Sequence, residues 1–447
     1  MESFFNELRV HLITLALLTF LYQATGQTSF EPIVSYAVGG GPTSVTAADV
    51  NGDGKVDLIG ANGQDNTLTV LTNNGTGGFD SNATLNVDGL PYWVTAADVN
   101  MDGKVDLISA NLSANTVTVL TNNGNGGFGL NATNNIVGGP SAVIAADITG
   151  KGMLDLICAL NNGLLVLTNN GSGVFGSSES YVIGAGVFSI VATDVNGDGK
   201  IDLASANGFG NSLTVFTNNG SGHFGSNSTY TAGNFVRSVT AAEINGDGRV
   251  DLICANNGDG TLTVLTNNAN GVFGSNATYT VGGGPNSVIA ADVNGDGKVD
   301  LISAKLGVST LTVLTNSGNG DFTLASSPNT GASPWVTAAD INGDGKLDLI
   351  AVDYGANALS AVMNTSVFPP PVSTPTLSLT SNPSFSALLV SWPSASAGWS
   401  LQQNSDLTAT NWSPSGYSGY SIADDGINKS LTITPPTGNQ FFRLIHP

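Results

Sequence analysis

The sequence predicts an all-β protein whose main part is a seven-bladed β-propeller. A motif of the form AADVNGDGKVDL recurs seven times, at spacings of 47 to 49 residues. Each period contains four short runs rich in Val, Ile, Leu and Thr, bounded by Gly, Asn or Asp as β-strands are. Four strands in one such period correspond to one propeller blade. An all-β solenoid is the less favoured alternative, because its coils are shorter.

Residues 1–26 are predicted to be a signal peptide. Arg9 precedes an apolar run, and Ala24-Thr25-Gly26 offers small residues for cleavage. The run is short for a membrane span, so an uncleaved N-terminal anchor is the alternative. We expect a secreted or cell-surface protein, with no stable membrane span once the leader is removed.

The segment after the leader is predicted to close the ring. The seventh motif is followed by only two strand-like runs, so the last blade lacks a fourth strand. Residues 29–42 (SFEPIVSYAVGGGP) align with residues 272–285 (VFGSNATYTVGGGP), where a fourth strand is expected. An N-terminal strand that completes the last blade would leave no open sheet edge.

The remaining elements follow in chain order. In the first repeat the predicted strands are 43–50, 56–62, 67–73 and 78–87. The propeller is expected to span residues 27–368, and a proline-rich linker residues 369–375. Residues 376–447 contain no repeat. Their alternating stretches ALLVSWP and KSLTITP predict a small β-domain of the sandwich type.

Composition excludes several classes of function. The chain has 12 Lys and Arg against 33 Asp and Glu, a net charge of −21. A basic nucleic-acid-binding surface is therefore excluded. Three His and two Cys argue against His-based catalysis and against a thiolate zinc cluster.

The recurring motif has the composition of a calcium loop. In DVNGDGKVD, which we call an acidic loop, positions 1, 3, 5 and 9 carry side-chain oxygens, and position 7 could offer its backbone carbonyl with its charge pointing outward. Hard oxygen ligands in this number suit calcium. Each close pair of carboxylates costs about 4 kcal/mol at an effective dielectric of about 20, and a divalent ion reverses that sign. The alternative is a solvated acidic turn without metal.

Six of the seven acidic loops have this pattern, so we expect about six calcium ions per chain. The predicted ligands are Asp49, Asn51, Asp53, Lys55 and Asp57 in loop one; Asp98, Asn100, Asp102, Lys104 and Asp106 in loop two; Asp194, Asn196, Asp198, Lys200 and Asp202 in loop four; Glu243, Asn245, Asp247, Arg249 and Asp251 in loop five; Asp292, Asn294, Asp296, Lys298 and Asp300 in loop six; and Asp340, Asn342, Asp344, Lys346 and Asp348 in loop seven.

Loop three departs from the pattern. It reads DITGKGMLD, with Thr149 at position 3 and Lys151 at position 5. We expect this loop to be metal-free, with the Lys151 ammonium in place of the ion between Asp147 and Asp155.

The acidic loops resemble those of the FG-GAP and VCBS-type repeat family, which includes integrin α-subunit propellers. The Phe-Gly pairs at 128–129, 175–176, 224–225 and 273–274 fit this resemblance, which covers residues 29–367. It implies a seven-bladed propeller with calcium between the first two strands of each blade. Members of the family include adhesion proteins, lectin-like modules and a few polysaccharide-acting enzymes, so the resemblance does not imply one function.

A second candidate site is expected on the face opposite the acidic loops. Aromatic side chains and Arg237 fall in the other two sets of connections, and two Trp occupy the same repeat position. The candidate ligand-binding residues are Tyr92, Trp93, Phe235, Arg237 and Trp335. They would form a sugar-stacking or protein-docking patch at the mouth of the central channel. Packing of the channel is the alternative.

Together these features predict a non-catalytic, monomeric extracellular module that binds a polysaccharide or a cell-surface protein or glycan. One alternative is a polysaccharide-acting enzyme, a glycosidase or a lyase, which needs acidic residues outside the loops to converge in a cleft. Another is a structural envelope component.

Overall fold

The computed structural model describes residues 28–268 and 271–368 of the propeller. In the C-terminal region it describes residues 378–381, 388–393, 400–404, 413–414, 423–424, 428–433 and 441–445. The predicted signal peptide and linker lie outside these residues. Contacts divide the chain into two units, Met1–Phe368 and Pro369–Pro447. Across the described ranges, no helix is long and apolar enough to cross a membrane.

The first unit consists of seven four-stranded antiparallel sheets, each of which is one blade, as predicted. Blades one to six each consist of four strands that are consecutive in the chain. Blade seven consists of the last three strands of this unit and its N-terminal strand. The strands are β1 (Val34–Ala37), β2 (Pro42–Ala48), β3 (Asp57–Asn62), β4 (Thr67–Asn73), β5 (Phe79–Asn86), β6 (Pro91–Ala97), β7 (Asp106–Asn111), β8 (Thr116–Asn122), β9 (Phe128–Asn135), β10 (Ala142–Ala146), β11 (Asp155–Leu160), β12 (Gly163–Asn169), β13 (Phe175–Val182), β14 (Val187–Thr193), β15 (Asp202–Asn207), β16 (Ser212–Asn218), β17 (Phe224–Thr231), β18 (Val236–Ala242), β19 (Asp251–Asn256), β20 (Thr261–Asn267), β21 (Phe273–Thr280), β22 (Gly284–Ala291), β23 (Asp300–Leu306), β24 (Thr312–Asn316), β25 (Phe322–Ser326), β26 (Val336–Ala339), β27 (Asp348–Asp353) and β28 (Ala358–Val362).

Strand β1 closes the ring, which confirms the prediction. It pairs antiparallel with β28 in the sheet order β1-β28-β27-β26, with Val34 opposite Ala361. The Tyr36 hydroxyl donates to the Gly77 carbonyl at 2.8 Å, as the aligned Tyr279 donates to Gly320 at 3.0 Å. The N-terminal strand therefore occupies the same place in its blade as a fourth strand does elsewhere.

The core lies between the blades. The second strand of blade one, β3, is buried along its whole length, because each face of a blade packs against a neighbouring blade. Ile59 and Val70 of blade one, for example, pack in one cluster with Val94 and Leu107 of blade two. The acidic residues and turns are left at the two ends of the strands, where the candidate sites lie.

A ring of asparagines also joins the blades. Each asparagine is the last residue of the third strand of its blade or lies just after that strand. Its side-chain amide donates a hydrogen bond, at 2.7–2.8 Å, to the backbone carbonyl at position 2 of the preceding blade's acidic loop. The pairs are Asn73–Ile341, Asn122–Val50, Asn169–Val99, Asn218–Ile148, Asn267–Val195, Asn316–Ile244 and Asn364–Val293. The acidic loops are thus part of the joints between blades.

The second unit contains seven described strands in two sheets. Their orders are β29-β30-β34-β33 and β32-β31-β35. The strands are β29 (Ser378–Ser381), β30 (Leu388–Pro393), β31 (Ser400–Asn404), β32 (Ser413–Pro414), β33 (Ala423–Asp424), β34 (Asn428–Ile433) and β35 (Phe441–Ile445). The sandwich arrangement of these sheets stays a prediction.

Candidate functional site

The seven acidic loops lie at one end of the propeller axis. Each joins the first strand of a blade to the second, as Asp49 to Asp57 does between β2 and β3. Because all seven innermost strands run in the same sense within this repeat, their following loops share one face. The opposite face carries the starts of those strands and the loops between second and third strands.

Backbone amides orient the acids of each loop. In loop one, Asp49 Oδ1 accepts a hydrogen bond from the Gly52 amide at 2.7 Å, and its Oδ2 accepts one from Gly54 at 2.8 Å. Asp53 Oδ1 accepts from the Lys55 amide at 3.0 Å. Gly52 and Gly54 adopt φ values of 77° and 82°, which glycine reaches without strain. This tight turn directs the acids at positions 1 and 5 toward the backbone of the loop.

The position-9 acid is buried and ties each loop to its blade. Asp57 is fully buried, and its Oδ1 and Oδ2 accept hydrogen bonds from the amides of Asn73 and Val50 at 2.8 and 3.1 Å. Burial raises the pKa of the corresponding Asp251, Asp300 and Asp348 to about 6, and repulsion from the other loop acids adds to the rise, against the effect of the amide bonds.

The base at position 7 pairs with the acid at position 5 of its own loop. In loop one the Lys55 ammonium lies 3.3 Å from Asp53 Oδ2, and both side chains are partly exposed. The same pairing occurs at Lys104–Asp102, Lys200–Asp198, Arg249–Asp247, Lys298–Asp296 and Lys346–Asp344, at 3.0–3.8 Å. The position-5 acid attracts the nearest cation, which partly offsets the repulsion between the loop acids.

The donor set of the acidic loops suits calcium, and the ion itself stays a prediction. Within the part of the chain that the structure describes, no three His, Cys, Asp or Glu side chains form a metal-holding group. In loop one an asparagine, Asn51, supplies the oxygen at position 3, and Asp57 is turned onto backbone amides. A carboxylate oxygen that accepts one amide hydrogen keeps a second lone pair for a cation. All donors are hard oxygens, the type that calcium prefers.

Loop three corrects one expectation. The backbone amide of Lys151 donates to Asp147 Oδ1 at 3.1 Å, while its side chain is exposed. None of the ion pairs among the described residues joins its ammonium to Asp147 or Asp155, because an exposed lysine is well solvated without a counter-ion. Asp155 Oδ2 is buried without a hydrogen-bond partner.

A cavity of about 130 Å³ opens at the other end of the axis. We call it the mouth cavity; it is lined by Thr43, Tyr92, Trp93, Phe188, Arg237, Asn286, Leu306, Pro334, Trp335 and Tyr354. Four of the five predicted ligand-binding residues, Tyr92, Trp93, Arg237 and Trp335, line it. The fifth, Phe235, packs against Phe188 with ring centroids 5.5 Å apart. The predicted residues therefore come together at one place.

Two tryptophans from non-adjacent blades meet in the mouth cavity. The rings of Trp93 in blade two and Trp335 in blade seven are 4.5 Å apart, edge to face at 76°. Blade one lies between them and carries the small Ser44 at the same repeat position. The small residue leaves room for the two indoles to touch.

Arg237 is held by neutral groups. Its Nη2 donates to the Tyr92 hydroxyl at 2.9 Å, and its Nε donates to Asn286 Oδ1 at 3.1 Å. Its guanidinium carbon lies 4.3 Å from the ring centroid of Phe188 and 5.5 Å from that of Phe235, in cation–π contact. Its position is thus fixed from several sides.

No carboxylate is among the residues that line the mouth cavity. The acids of the surrounding turns cap backbone amides instead: Asp65 Oδ2 accepts from Gly40 and Asp259 Oδ2 from Asn234, both at 2.6 Å. Asp353 Oδ1 accepts from Gly355 at 3.1 Å. The acid pair that a glycosidase needs is not found among the lining residues.

The ligand-binding residues predicted from the sequence do not include Thr43, Phe188, Asn286, Leu306, Pro334 or Tyr354, all of which line the mouth cavity. Their shared position in the repeat would have identified most of them. The lining residues that stand six positions before the first acid of a loop are Thr43, Tyr92, Phe188, Arg237, Asn286 and Pro334.

Comparisons with known proteins agree with this architecture. A family model described as an FG-GAP-like repeat matches residues 16–60, 49–109, 98–158, 147–205, 194–254, 243–303 and 292–351. A search of curated proteins gives no match.

Several solved structures are similar to the chain. One is of an Agrocybe aegerita lectin described as recognising non-reducing terminal N-acetylglucosamine, at 21% identity over 76% of this chain and 85% of that chain, with a TM-score of 0.48. Another is BBS1N in complex with ARL6DN, at 12% identity over 77% and 98%, with a TM-score of 0.56. A Lactobacillus plantarum protein matches at 16% identity over 66% and 86%, with a TM-score of 0.53. The last two support the propeller fold alone.

Proposed function

The chain belongs to the FG-GAP-like repeat family, and from the geometry of its two faces we propose that it is a non-catalytic extracellular binding module. In this proposal the mouth cavity binds a saccharide of a polysaccharide or cell-surface glycan. Calcium in six acidic loops stabilises the propeller that presents it.

The observation that carries the proposal is the composition of the mouth cavity. Its walls combine aromatic rings, at Tyr92, Trp93 and Trp335, with a few fixed polar groups, which is typical of ligand sites. The flat apolar face of a sugar ring packs on an aromatic ring, and its hydroxyls bond to groups such as Asn286 and Arg237. The absence of a carboxylate from the lining favours binding over hydrolysis.

The role proposed for calcium follows from the ring of asparagines. The position-2 residue of loop one, Val50, donates its amide to the buried Asp57 and accepts from Asn122 of the next blade. A cation that holds the loop in this shape would therefore also hold the joint between two blades. The residues that would hold it are those at positions 1, 3, 5, 7 and 9 of each predicted loop.

Export is part of the proposal and rests on the N-terminal leader. The apolar run after Arg9 and the small residues at 24–26 are typical of a signal peptide. An extracellular site would also supply the calcium concentration that weak loops need.

A glycan array tests the proposal. The mature chain, residues 27–447, is applied in calcium and after calcium removal, beside a Trp335→Ala variant. We expect calcium-dependent binding to one glycan class that the variant loses by about tenfold or more, because the indole wall is gone. A protein that melts normally in calcium but binds no glycan would overturn the saccharide proposal.

A further inference from the structure

Arg237 differs from most cations of the propeller. Six of them pair with the position-5 acid of their own acidic loop, at 3.0–3.8 Å. Arg237 forms no ion pair with any described acid; its partners are the Tyr92 hydroxyl, the Asn286 amide and two phenylalanine rings. Among the described residues, Lys151, which is exposed, and Lys305, whose ammonium donates to Val281 and Thr312, also form no ion pair, but neither lines the mouth cavity.

The site leaves this charge ready for a ligand. Arg237 is half-buried among apolar rings, where a charge without a counter-ion is costly. A guanidinium has five N–H donors, and the contacts to Tyr92 and Asn286 use two of them. The Tyr92 and Asn286 contacts also fix the plane of the guanidinium, so little side-chain entropy remains to be lost on binding.

From these observations we infer that the mouth cavity binds a sugar that carries a carboxylate, and that Arg237 binds the carboxylate. This inference rests on the proposed function and adds the class of sugar. The planar fork of an arginine matches a carboxylate through two parallel hydrogen bonds. The sugar ring would then lie against the aromatic wall formed by Trp93, Trp335 and Tyr92.

The charge of the rest of the molecule further limits which acidic glycans can bind. The net charge is −21, and Asp65, Asp259 and Asp353 lie in the turns of the same face. Their field repels a densely charged polyanion, and salt screens that repulsion over about 8 Å at physiological ionic strength. A single carboxylate at a chain end enters the cavity with little of this cost. The expected ligand is therefore a glycan with a terminal acidic sugar.

A matched pair of saccharides tests the inference. The two oligosaccharides differ only at the terminal residue, glucuronic acid in one and glucose in the other, and are titrated into the mature chain in calcium by calorimetry. We expect the acidic member to bind about 10- to 100-fold more tightly, the range of a charged hydrogen-bonded pair. Arg237→Gln should remove this preference, and Arg237→Lys should restore only part of it.

The control variant also removes one positive charge, but at a position far from the mouth cavity. Lys151→Gln removes one positive charge on the opposite face and should leave the preference for the acidic sugar unchanged. Melting curves of all three variants in calcium show that each is folded.

Three other outcomes are distinguishable. Equal affinity for both sugars, weakened alike by Trp335→Ala, would overturn the carboxylate inference and leave the proposed function in place. Binding of neither sugar to a folded protein that also fails on the array would overturn both. Arg237-dependent binding of a peptide with a free C-terminal carboxylate, without binding of the acidic sugar, would overturn the assignment to sugars.

Discussion

At the scale of single residues, one asparagine side chain forms each joint of the ring. The Asn122 amide nitrogen donates to Val50 of the preceding blade and to Val105 of its own loop, at 2.7 and 2.8 Å. Its Oδ1 accepts from the Gly124 amide at 2.8 Å. An aspartate cannot make the two donations, and a glutamine is longer by one methylene. The asparagine that ends the third strand of each repeat therefore has a structural role in joining the blades, and is not simply part of a surface turn.

Replacing Asn122 with alanine should destabilise the propeller by about 2–4 kcal/mol, because two buried carbonyls lose their donor. The urea midpoint of the purified chain measures this loss. Asn125→Ala, at an exposed turn position nearby, is the matched control and should change the midpoint little. Equal midpoints for the two variants would contradict the role of the joint.

The position-9 acids give the metal-free protein a defined pH dependence. The pKa of Asp251, Asp300 and Asp348 is raised to about 6 from the ordinary value of 3.8, so the folded state holds these protons more tightly than the unfolded chain. Their contribution to stability is therefore lost as pH rises from about 4 through about 6. After removal of metal, the melting temperature should be a few degrees higher at pH 5 than at pH 7.5.

Calcium should reverse that dependence, since it binds the deprotonated acids. With calcium present, melting should occur at a higher temperature at pH 7.5 than at pH 5. A pH dependence of the same sign in both conditions would count against calcium in the acidic loops.

At the scale of the structural elements, the repeat made most of the fold predictable. The predicted strand 67–73 has the bounds of β4, and the others of the first repeat differ from the structure by one or two residues. The mouth cavity was only partly predictable. Tyr92, Trp93 and Trp335 stand out by their size, whereas Asn286 and Pro334 look ordinary until the ring brings six distant strand ends together. The predicted position of the Lys151 ammonium between Asp147 and Asp155 is not observed, because a sequence pattern does not determine where a long, exposed side chain points.

Loop three offers a test of the calcium loop as an element. It has a threonine, Thr149, in place of the asparagine at position 3 and a lysine, Lys151, in place of the acid at position 5, but its glycines at 150 and 152 keep the turn. The double variant Thr149→Asn, Lys151→Asp restores the pattern of the other loops. We expect calorimetry to count about one more calcium ion per chain than in the parent protein. A count that stays the same would show that the side chains of the pattern do not determine binding.

At the scale of the whole molecule, the ring is closed by strands from the two ends of the propeller. Strand β1 supplies the outer strand of blade seven, and Tyr36 of β1 packs edge to face on Phe79 of blade one at 5.1 Å. The N-terminal strand therefore contributes both to its own sheet and to the next blade. An open edge on β28 would expose unpaired backbone groups.

Removing the closing strand should weaken the whole propeller. A chain that begins at residue 39 is expected to melt at least several degrees below a chain that begins at residue 27, and to aggregate more readily through the exposed edge of β28. Differential scanning calorimetry of the two chains measures the difference. Identical melting curves would mean that β1 is dispensable and that the ring closes without it.

We propose that one face of the propeller holds calcium and the other binds a saccharide. A crystal structure of the mature chain, grown in calcium with the glycan selected on the array, tests both halves at once. We expect calcium in the six acidic loops that keep the full pattern, and the sugar against Trp93 and Trp335 in the mouth cavity. Sugar bound elsewhere, for example between blades or on the C-terminal unit, with the mouth cavity empty and no ion in the loops, would contradict it.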